Sequence, residues 1–329
     1  MIEEVAKRIY RIPISLPDNP LRTLNSYLIY DRTRSLLIDA GFRHEQCKRD
    51  LFAGFAELGV NPEDMDIFLT HMHADHSGLA PEAAGEGSRI FISDIDLSWL
   101  LNAESVKNNW DRLTSGYIMA GMPDHIIENM AEINPAIKMA ATPGCGKYST
   151  LSDGDTLSAG GYTFRCVLTP GHTPGHLCLW SEENGLMFTG DHILFDITPN
   201  ITAWPASPDT LGDYLNSLTA VYEFPVKTAL PGHRKSGDFH IRIKELIEHH
   251  ERRLAEIVSI ISETPGINAY DIAGKMKWQI RAADWNVFPD AQKIFAVGEC
   301  MSHLDYLLLR KKISRGNTTH ICRYYVISH

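Results

Sequence analysis

The chain has 329 residues, with 31 Lys and Arg against 41 Asp and Glu and a hydrophobic content of 44%. That length exceeds one ordinary domain and suits one large domain plus a small one. A formal net charge of −10 makes the chain as a whole a poor polyanion binder, and no apolar run approaches the roughly 18 residues of a membrane span. The six cysteines are scattered without a CxxC pair, and Met1-Ile2-Glu3-Glu4 does not resemble a secretory leader. Free, mostly buried thiols in a cytoplasmic setting are therefore expected.

Ile9 to Ile14 alternates as a strand and ends at Pro17-Asp18-Asn19-Pro20; Leu24 to Ile29 and Ser35 to Ile38 continue a meander. Leu51, Phe52, Phe55 and Leu58 recur at helical spacing before Gly59, which predicts a helix over 44–58. The apolar run Asp66-Ile67-Phe68-Leu69-Thr70 reads as a buried strand. His71-Met72-His73-Ala74-Asp75-His76 follows it at once, where α/β sheets place their sites. So many imidazoles beside a carboxylate are costly to bury unless a divalent metal compensates. Alternate residues on an extended chain project the same way, so His71 and His73 can share one metal. Asp75 and His76, where the chain turns, can face a second position.

After a strand at 89–92, residues 94 to about 150 break the strand rhythm. Trp99, Trp110, Tyr117 and Met122 belong to helix-spaced apolar stretches punctuated by prolines. The segment reads as a helical insertion on the ligand-bearing side, covering the site and shaping a substrate pocket; extra core packing is the competing reading. Further strands are expected near 156–157, at 162–168, and as a hairpin of 177–180 with 186–188. Gly171-His172, Gly190-Asp191-His192 and Gly232-His233 each follow a short apolar run, so several strand ends deliver His or Asp to one edge of a sheet. His176, His192 and the helical pair His249-His250 read as structural.

Helices are predicted over 210–222 and 241–261. Beyond about 263 two further helices and a β-hairpin over 313–327, turning at Arg315-Gly316-Asn317, resemble a winged helix. From Glu251 onward eleven Lys and Arg face eight Asp and Glu, a small excess centred on Arg310, Lys311, Lys312 and Arg315. Trp278, Trp285, Phe288 and Phe295 come without closely interleaved basic residues, so this region is expected to pack on the main domain or a second subunit.

The ordered set HxHxDH, a later His, an Asp and a last His resembles the metallo-β-lactamase superfamily of metallohydrolases over roughly residues 8 to 235. The stretch Gly190 to Asn200 is similar to β-lactamase-like hydrolases carrying a C-terminal winged helix, and glyoxalase II and lactonases are implied as relatives. The resemblance implies an α+β fold: an αββα sandwich over 1–240 with the helical insertion, then a long helix and small winged-helix-like domain over 241–329. It implies that His71, His73 and His172 hold one metal, that Asp75, His76 and His233 hold a second, and that Asp191 bridges them. Asp39 is implied to orient the metal loop from behind. His at position 73, where the flavo-diiron branch carries Glu, argues against oxygen chemistry.

The implied cofactor is a pair of divalent ions, zinc first, with iron or manganese as alternatives. The implied activity is hydrolysis of a small-molecule ester, thioester or lactone by a metal-bridging hydroxide, with Asp75 accepting the proton of the attacking water. The alternative is a metal-dependent phosphodiesterase or endoribonuclease of the same superfamily; a non-catalytic member is disfavoured by the complete ligand set. The expected partners are a small-molecule substrate and a second copy of the chain, with nucleic acid less favoured and no membrane.

Overall fold

The computed structural model describes residues 1–278, 284–317 and 320–327. One sheet runs, in spatial order, β1 (Glu3–Ala6), β2 (Ile9–Ser15), β3 (Thr23–Ile29), β4 (Ser35–Ile38), β5 (Met65–Phe68), β6 (Ile90–Ser93) and β7 (Tyr148–Leu151). The pairs from β1 to β4 are antiparallel, and those from β4 to β7 are parallel. The second sheet, in sequence order β8 (Thr156–Ala159), β9 (Tyr162–Leu168), β10 (Leu177–Ser181), β11 (Leu186–Gly190) and β12 (Thr228–Pro231), is antiparallel except for the β11–β12 pair. β4, β5 and β6 are buried along their whole length, which explains their mostly apolar residues; the buried Asp66 of β5 is paired with Arg34 and Arg89.

Three apolar layers stack these sheets. Helix α1 (Glu45–Leu58), capped by His44 and ended by left-handed Gly59, covers the outer face of the first sheet through Leu51 and Phe55. The short helices α2 (Ala74–Ser77) and α3 (Ala80–Ala83) lie on the same side. Between the sheets, Ile29, Ile38, Phe68 and Phe91 meet Phe164, Leu179 and Phe188. The insertion comprises α4 (Asp94–Leu97), α5 (Ala103–Met119), α6 (Asp124–Glu128), α7 (Met130–Ile133) and α8 (Pro135–Lys138). On the outer face of the second sheet, α9 (Thr210–Tyr222) and α10 (Phe239–Glu263) pack through Tyr214, Leu218, Ile243 and Leu246. The order helix, sheet, sheet, helix is the αββα sandwich.

A fourth core lies to one side. Leu113, Tyr117, Met122, Ile126 and Met130 of the insertion share it with Ile257, Ile260 and Ile261 of α10. They also share it with α11 (Ala269–Lys275), α12 (Asp290–Leu309) and the hairpin β13 (Ile313–Asn317)–β14 (Cys322–Val326). α10 therefore serves both the outer layer and this side core. Trp278 and Trp285 pack against it, Phe288 is buried, and Phe295 is exposed.

Two features depart from the sequence reading. Tyr148–Leu151, placed in the insertion, is strand β7, and Glu3–Ala6 is strand β1; both are edges of the first sheet and half exposed, so neither carries an apolar run. The C-terminal hairpin does not turn at Arg315-Gly316-Asn317: Arg315 pairs with Tyr324 and Asn317 with Cys322, so the connection spans 318–321, of which 318 and 319 lie outside the described residues. Gly-Asn is a strong turn signal, but the pairing register overrides it. The cysteines are free, five of them buried and Cys145 exposed. Among the described residues no helix is long and apolar enough to cross a membrane.

Truncation after residue 262 removes one side of the fourth core and exposes Leu113, Tyr117, Met122, Ile126 and Met130. Each such side chain is worth about 1.5–3 kcal/mol of burial. The truncated chain is expected to aggregate or lose cooperative melting. Size-exclusion chromatography with thermal circular dichroism checks this; a monodisperse fragment with unchanged melting would refute it.

Candidate metal centre

The His and Asp side chains converge because each follows a strand whose carboxyl end points to the same rim. His71 and His73 leave β5, Asp75 and His76 open α2, His172 follows β9, Asp191 follows β11 and His233 follows β12. His71 Nε2 lies 3.0 Å from His73 Nδ1, which lies 2.9 Å from His172 Nε2. On the other side His233 Nε2 is 3.2 Å from His76 Nε2 and 3.3 Å from Asp75 Oδ2. Asp191 stands between: one carboxylate oxygen is 3.6 Å from His76 Nε2, the other 3.6 Å from His172 Nε2 and 3.4 Å from His233 Nε2. All seven residues singled out in the sequence are thus brought together, as one trio of His71, His73 and His172 and one of Asp75, His76 and His233, with Asp191 between them. Gly232 permits the approach of the last loop, since a Cβ there would lie 2.6 Å from Asp191 Oδ1.

What holds the rings decides which nitrogen faces inward. His71 Nδ1 meets Thr70 Oγ1 at 3.0 Å, and Thr70 Oγ1 donates to Asp39. His76 Nδ1 donates to Asp39 Oδ2 at 2.7 Å, His172 Nδ1 to the Asn200 carbonyl at 2.9 Å, and His233 Nδ1 to the Thr23 carbonyl at 2.8 Å. With Nδ1 protonated toward these acceptors, each Nε2 presents a lone pair to the centre. His73 is the exception and presents Nδ1. Asp39 sits at φ 59, a left-handed backbone rare outside glycine, and accepts from Thr70 N, Thr70 Oγ1 and His76.

Burial, followed by repulsion from neighbouring imidazoles, keeps His71 well below its ordinary pKa and takes His73 down to about 3; burial also lowers His172. Burial opposes ionisation of Asp75 and Asp191 too, but His76 and His233 prevail, holding Asp75 at about 2 and Asp191 well below the usual range. Neutral imidazoles and ionised carboxylates are the protonation states that bind metal; His76 and His233 differ, being held above the ordinary histidine pKa, despite burial, by the carboxylates they face. Asp191 Oδ1 is buried without a hydrogen-bond partner. Converging lone pairs, an unpartnered carboxylate oxygen and a mixed N/O donor set fit divalent cations.

His176 lies outside both trios: its Nε2 accepts from Asp191 N at 3.2 Å and its Nδ1 meets Thr169 Oγ1 at 2.9 Å. His192 is buried with neither ring nitrogen partnered, and His250 Nδ1 meets His303 Nε2 at 3.1 Å, away from the centre. Of the residues expected to line a pocket, Trp99 packs between Trp110 and Trp204, ring centroids 5.7 and 5.3 Å away, and the Trp204 ring lies 6.0 Å from that of His73. Tyr117 and Met122 are instead buried in the fourth core; for them the packing reading describes the contacts.

The sequence reading missed Asp96. Fully buried, it accepts from Met72 N at 3.0 Å, Thr173 Oγ1 at 2.7 Å and Gly175 N at 2.7 Å, so one carboxylate ties the His71–His76 loop to the His172 loop. Burial pushes its carboxyl up to about 6 against the pull of these donors. In sequence it is one acid among Ser93-Asp94-Ile95-Asp96, a helix-cap pattern with nothing to mark it. Trp204, which donates to the His172 carbonyl at 3.0 Å, was likewise unmarked.

The model of the metallo-beta-lactamase superfamily matches residues 20–88 and 140–233, passing over most of the helical insertion. The beta-lactamase-like protein 2 homolog of Caenorhabditis elegans is 24% identical over 296 residues, covering 87% of this chain and 83% of that protein. A metallo-beta-lactamase family protein from Thermus thermophilus superposes with a TM-score of 0.82 at 26% identity, over 98% of this chain and 100% of that one. A beta-lactamase domain protein from Burkholderia ambifaria superposes at 0.78 and 25% identity, over 99% and 95%.

Asp96→Ala strands two buried N–H groups and a hydroxyl, at about 1–3 kcal/mol each. We expect the metal-free variant to lose at least about 3 kcal/mol in denaturant unfolding and the purified variant to carry less metal by elemental analysis. Asp96→Asn, which keeps an acceptor, should lose less of both. Unchanged metal content in Asp96→Ala would show that the two loops do not depend on this carboxylate.

Proposed function

The chain belongs to the metallo-beta-lactamase superfamily and is a metal-dependent hydrolase, and from that premise we propose that it holds two divalent ions, zinc first among the candidates, and hydrolyses a small-molecule ester, thioester or lactone. The observation that carries this reading is the position of Asp191 between two donor trios, with Oδ2 near both His172 and His233 and Oδ1 near His76. Seven donors are too many for one tetrahedral ion.

In this reading His71, His73 and His172 hold one ion, Asp75, His76 and His233 the other, and Asp191 is shared. Divalent ions held by these residues would lower the pKa of bound water toward neutrality and would supply positive charge for a developing oxyanion. Asp75, kept ionised against its burial by His76 and His233, would take the proton from the attacking water. Asp39 and Thr70 keep His71 and His76 in the tautomers that leave Nε2 free, and the deep burial of His71, His76 and His233 excludes bulk water from that side.

Trp204 against His73 and Trp99 against Trp204 support an apolar wall suited to an acyl group; Trp110 touches Trp99 and also packs against the fourth core. We read the C-terminal helices and hairpin as a winged-helix-like module used for packing. In support, Arg310 is paired with Asp209 at 3.0 Å and stacked on Tyr306, and Trp278, Trp285 and Phe288 turn toward the core. With the acidic balance of the chain, this favours a small-molecule substrate over the phosphodiesterase alternative.

Elemental analysis of protein purified without chelator is expected to give two metals per chain, falling toward one in Asp75→Ala and His233→Ala. Asp191→Ala should abolish hydrolysis and lower occupancy at both positions. A ratio of one that Asp75→Ala and His233→Ala leave unchanged would remove the second position.

Substrate class is tested on metal-replete protein with thioesters, lactones and structured RNA. Trp99→Ala and Trp110→Ala should shift relative activity between acyl chains by about tenfold or more, the scale of one apolar contact, while metal content stays fixed. Activity on RNA alone would reverse the proposed class; equal loss on every acyl substrate with a lower melting temperature would return these tryptophans to packing.

A further inference from the structure

We propose that helix α12 positions His172 through the segment 200–204; the proposal rests on the reading of His172 as a metal ligand. This segment holds His172 at two points. The imidazole Nδ1 donates to the Asn200 carbonyl at 2.9 Å, and Trp204 Nε1 donates to the His172 carbonyl at 3.0 Å. Residues 200–204 form neither helix nor strand, so their backbone groups need partners from outside.

One face of α12 supplies them. Asn200 Nδ2 donates to the Phe295 carbonyl at 3.3 Å and to Glu299 Oε2 at 3.2 Å. Ala203 N donates to the Gly298 carbonyl at 3.0 Å, and Ser302 Oγ to the Ile201 carbonyl at 2.5 Å. Positions 295, 298, 299 and 302 fall on one helical stripe. Gly298 is what permits the approach: a Cβ there would lie 2.3 Å from Thr202 Oγ1 and 2.9 Å from the Tyr117 hydroxyl. Glu299 is 7% exposed, with Arg253 Nε 3.6 Å from its other oxygen as counter-charge. A carbonyl that receives Nδ1–H fixes the tautomer and aims Nε2, and loss of such partners weakens metal binding about 10–100-fold. Asn200 and Glu299 are thus positioning residues for His172, and Glu299 acts from a helix more than a hundred residues away in sequence.

The test is zinc titration of the full-length protein against a chromophoric chelator, giving two dissociation constants, alongside melting of the metal-free protein. His172→Ala and His233→Ala identify which constant belongs to which trio. Asn200→Ala and Glu299→Ala are expected to weaken the His172 constant about 10–100-fold and leave the other within about twofold. Glu299→Gln, which keeps an acceptor for Asn200, should recover most of that loss. Lower melting temperatures with both constants unchanged would make α12 a packing element only and overturn the proposal. Should Glu299→Ala fail to fold, Asn200→Ala, whose half-buried side chain opens no charged cavity, carries the test alone. Equal losses in Glu299→Gln and Glu299→Ala with none in Asn200→Ala would trace the effect to the Arg253 pairing and also overturn it. If His172→Ala leaves both constants unchanged, the ligand assignment falls and the relay with it.

Discussion

Five imidazoles and two carboxylates lie side by side at the centre, most of them buried, and the surrounding structure keeps their lone pairs aimed at one another. Left alone, such a cluster opposes folding, because each ring loses water and repels its neighbours' protonated forms. The compensation comes in two layers. Acceptors behind the rings, namely Thr70, Asp39 and the carbonyls of Thr23 and Asn200, fix four tautomers. The remaining attraction is that of His76 and His233 for the carboxylates. Burial opposes charge on both rings, but Asp39, Asp191 and Asp75 hold His76 well above its ordinary pKa, and Asp191 and Asp75 hold His233 at about 10.

The centre was legible because ligands cluster where a strand stops. Thr70 to His76 and Gly171-His172 place donor side chains directly after apolar runs, and both the run and the donors are visible in one dimension. The strands that sequence reasoning missed, β1 and β7, are edges whose pairing partner supplies the order that their own residues do not encode. Asp96, Asn200 and Glu299 were illegible for a different reason. Each acts through a contact with a segment distant in the chain, so neither residue type nor spacing announces it. Asn200 meets His172 through its carbonyl, which any residue could offer.

The insertion illustrates how two readings of one apolar segment divide between its residues. Its early part, with Trp99, leads by aromatic contacts to Trp204 and the His73 ring. Its later part, with Tyr117 and Met122, is drawn into the core shared with α11 and α12. Helical spacing alone cannot separate these fates, because both faces bury apolar side chains and only the partner differs.

Because the donors come from both sheets, the geometry of the centre is set by how firmly the sheets are fastened to each other at this rim. Apolar packing between them resists separation but is non-directional and tolerates sliding. Directional fastenings remove that freedom. Asn25 N donates to the Gly232 carbonyl at 2.7 Å, Asn25 Nδ2 to the Pro231 carbonyl at 3.0 Å, and the Tyr27 hydroxyl to the same carbonyl at 2.9 Å, so β3 of the first sheet carries the His233 loop of the second. Leu177 N donates to the Thr70 carbonyl at 2.8 Å, and Asp96 closes the gap between the His71 and His172 loops. The segment 200–204 then holds His172 from its far side against α12. Each fastening pairs a ligand-bearing loop with an element of another layer, so an ångström of slip between layers would be felt at once as a misaligned nitrogen. Polar contacts individually worth only about 0.5–1.5 kcal/mol thus bear on the site through alignment more than through stability.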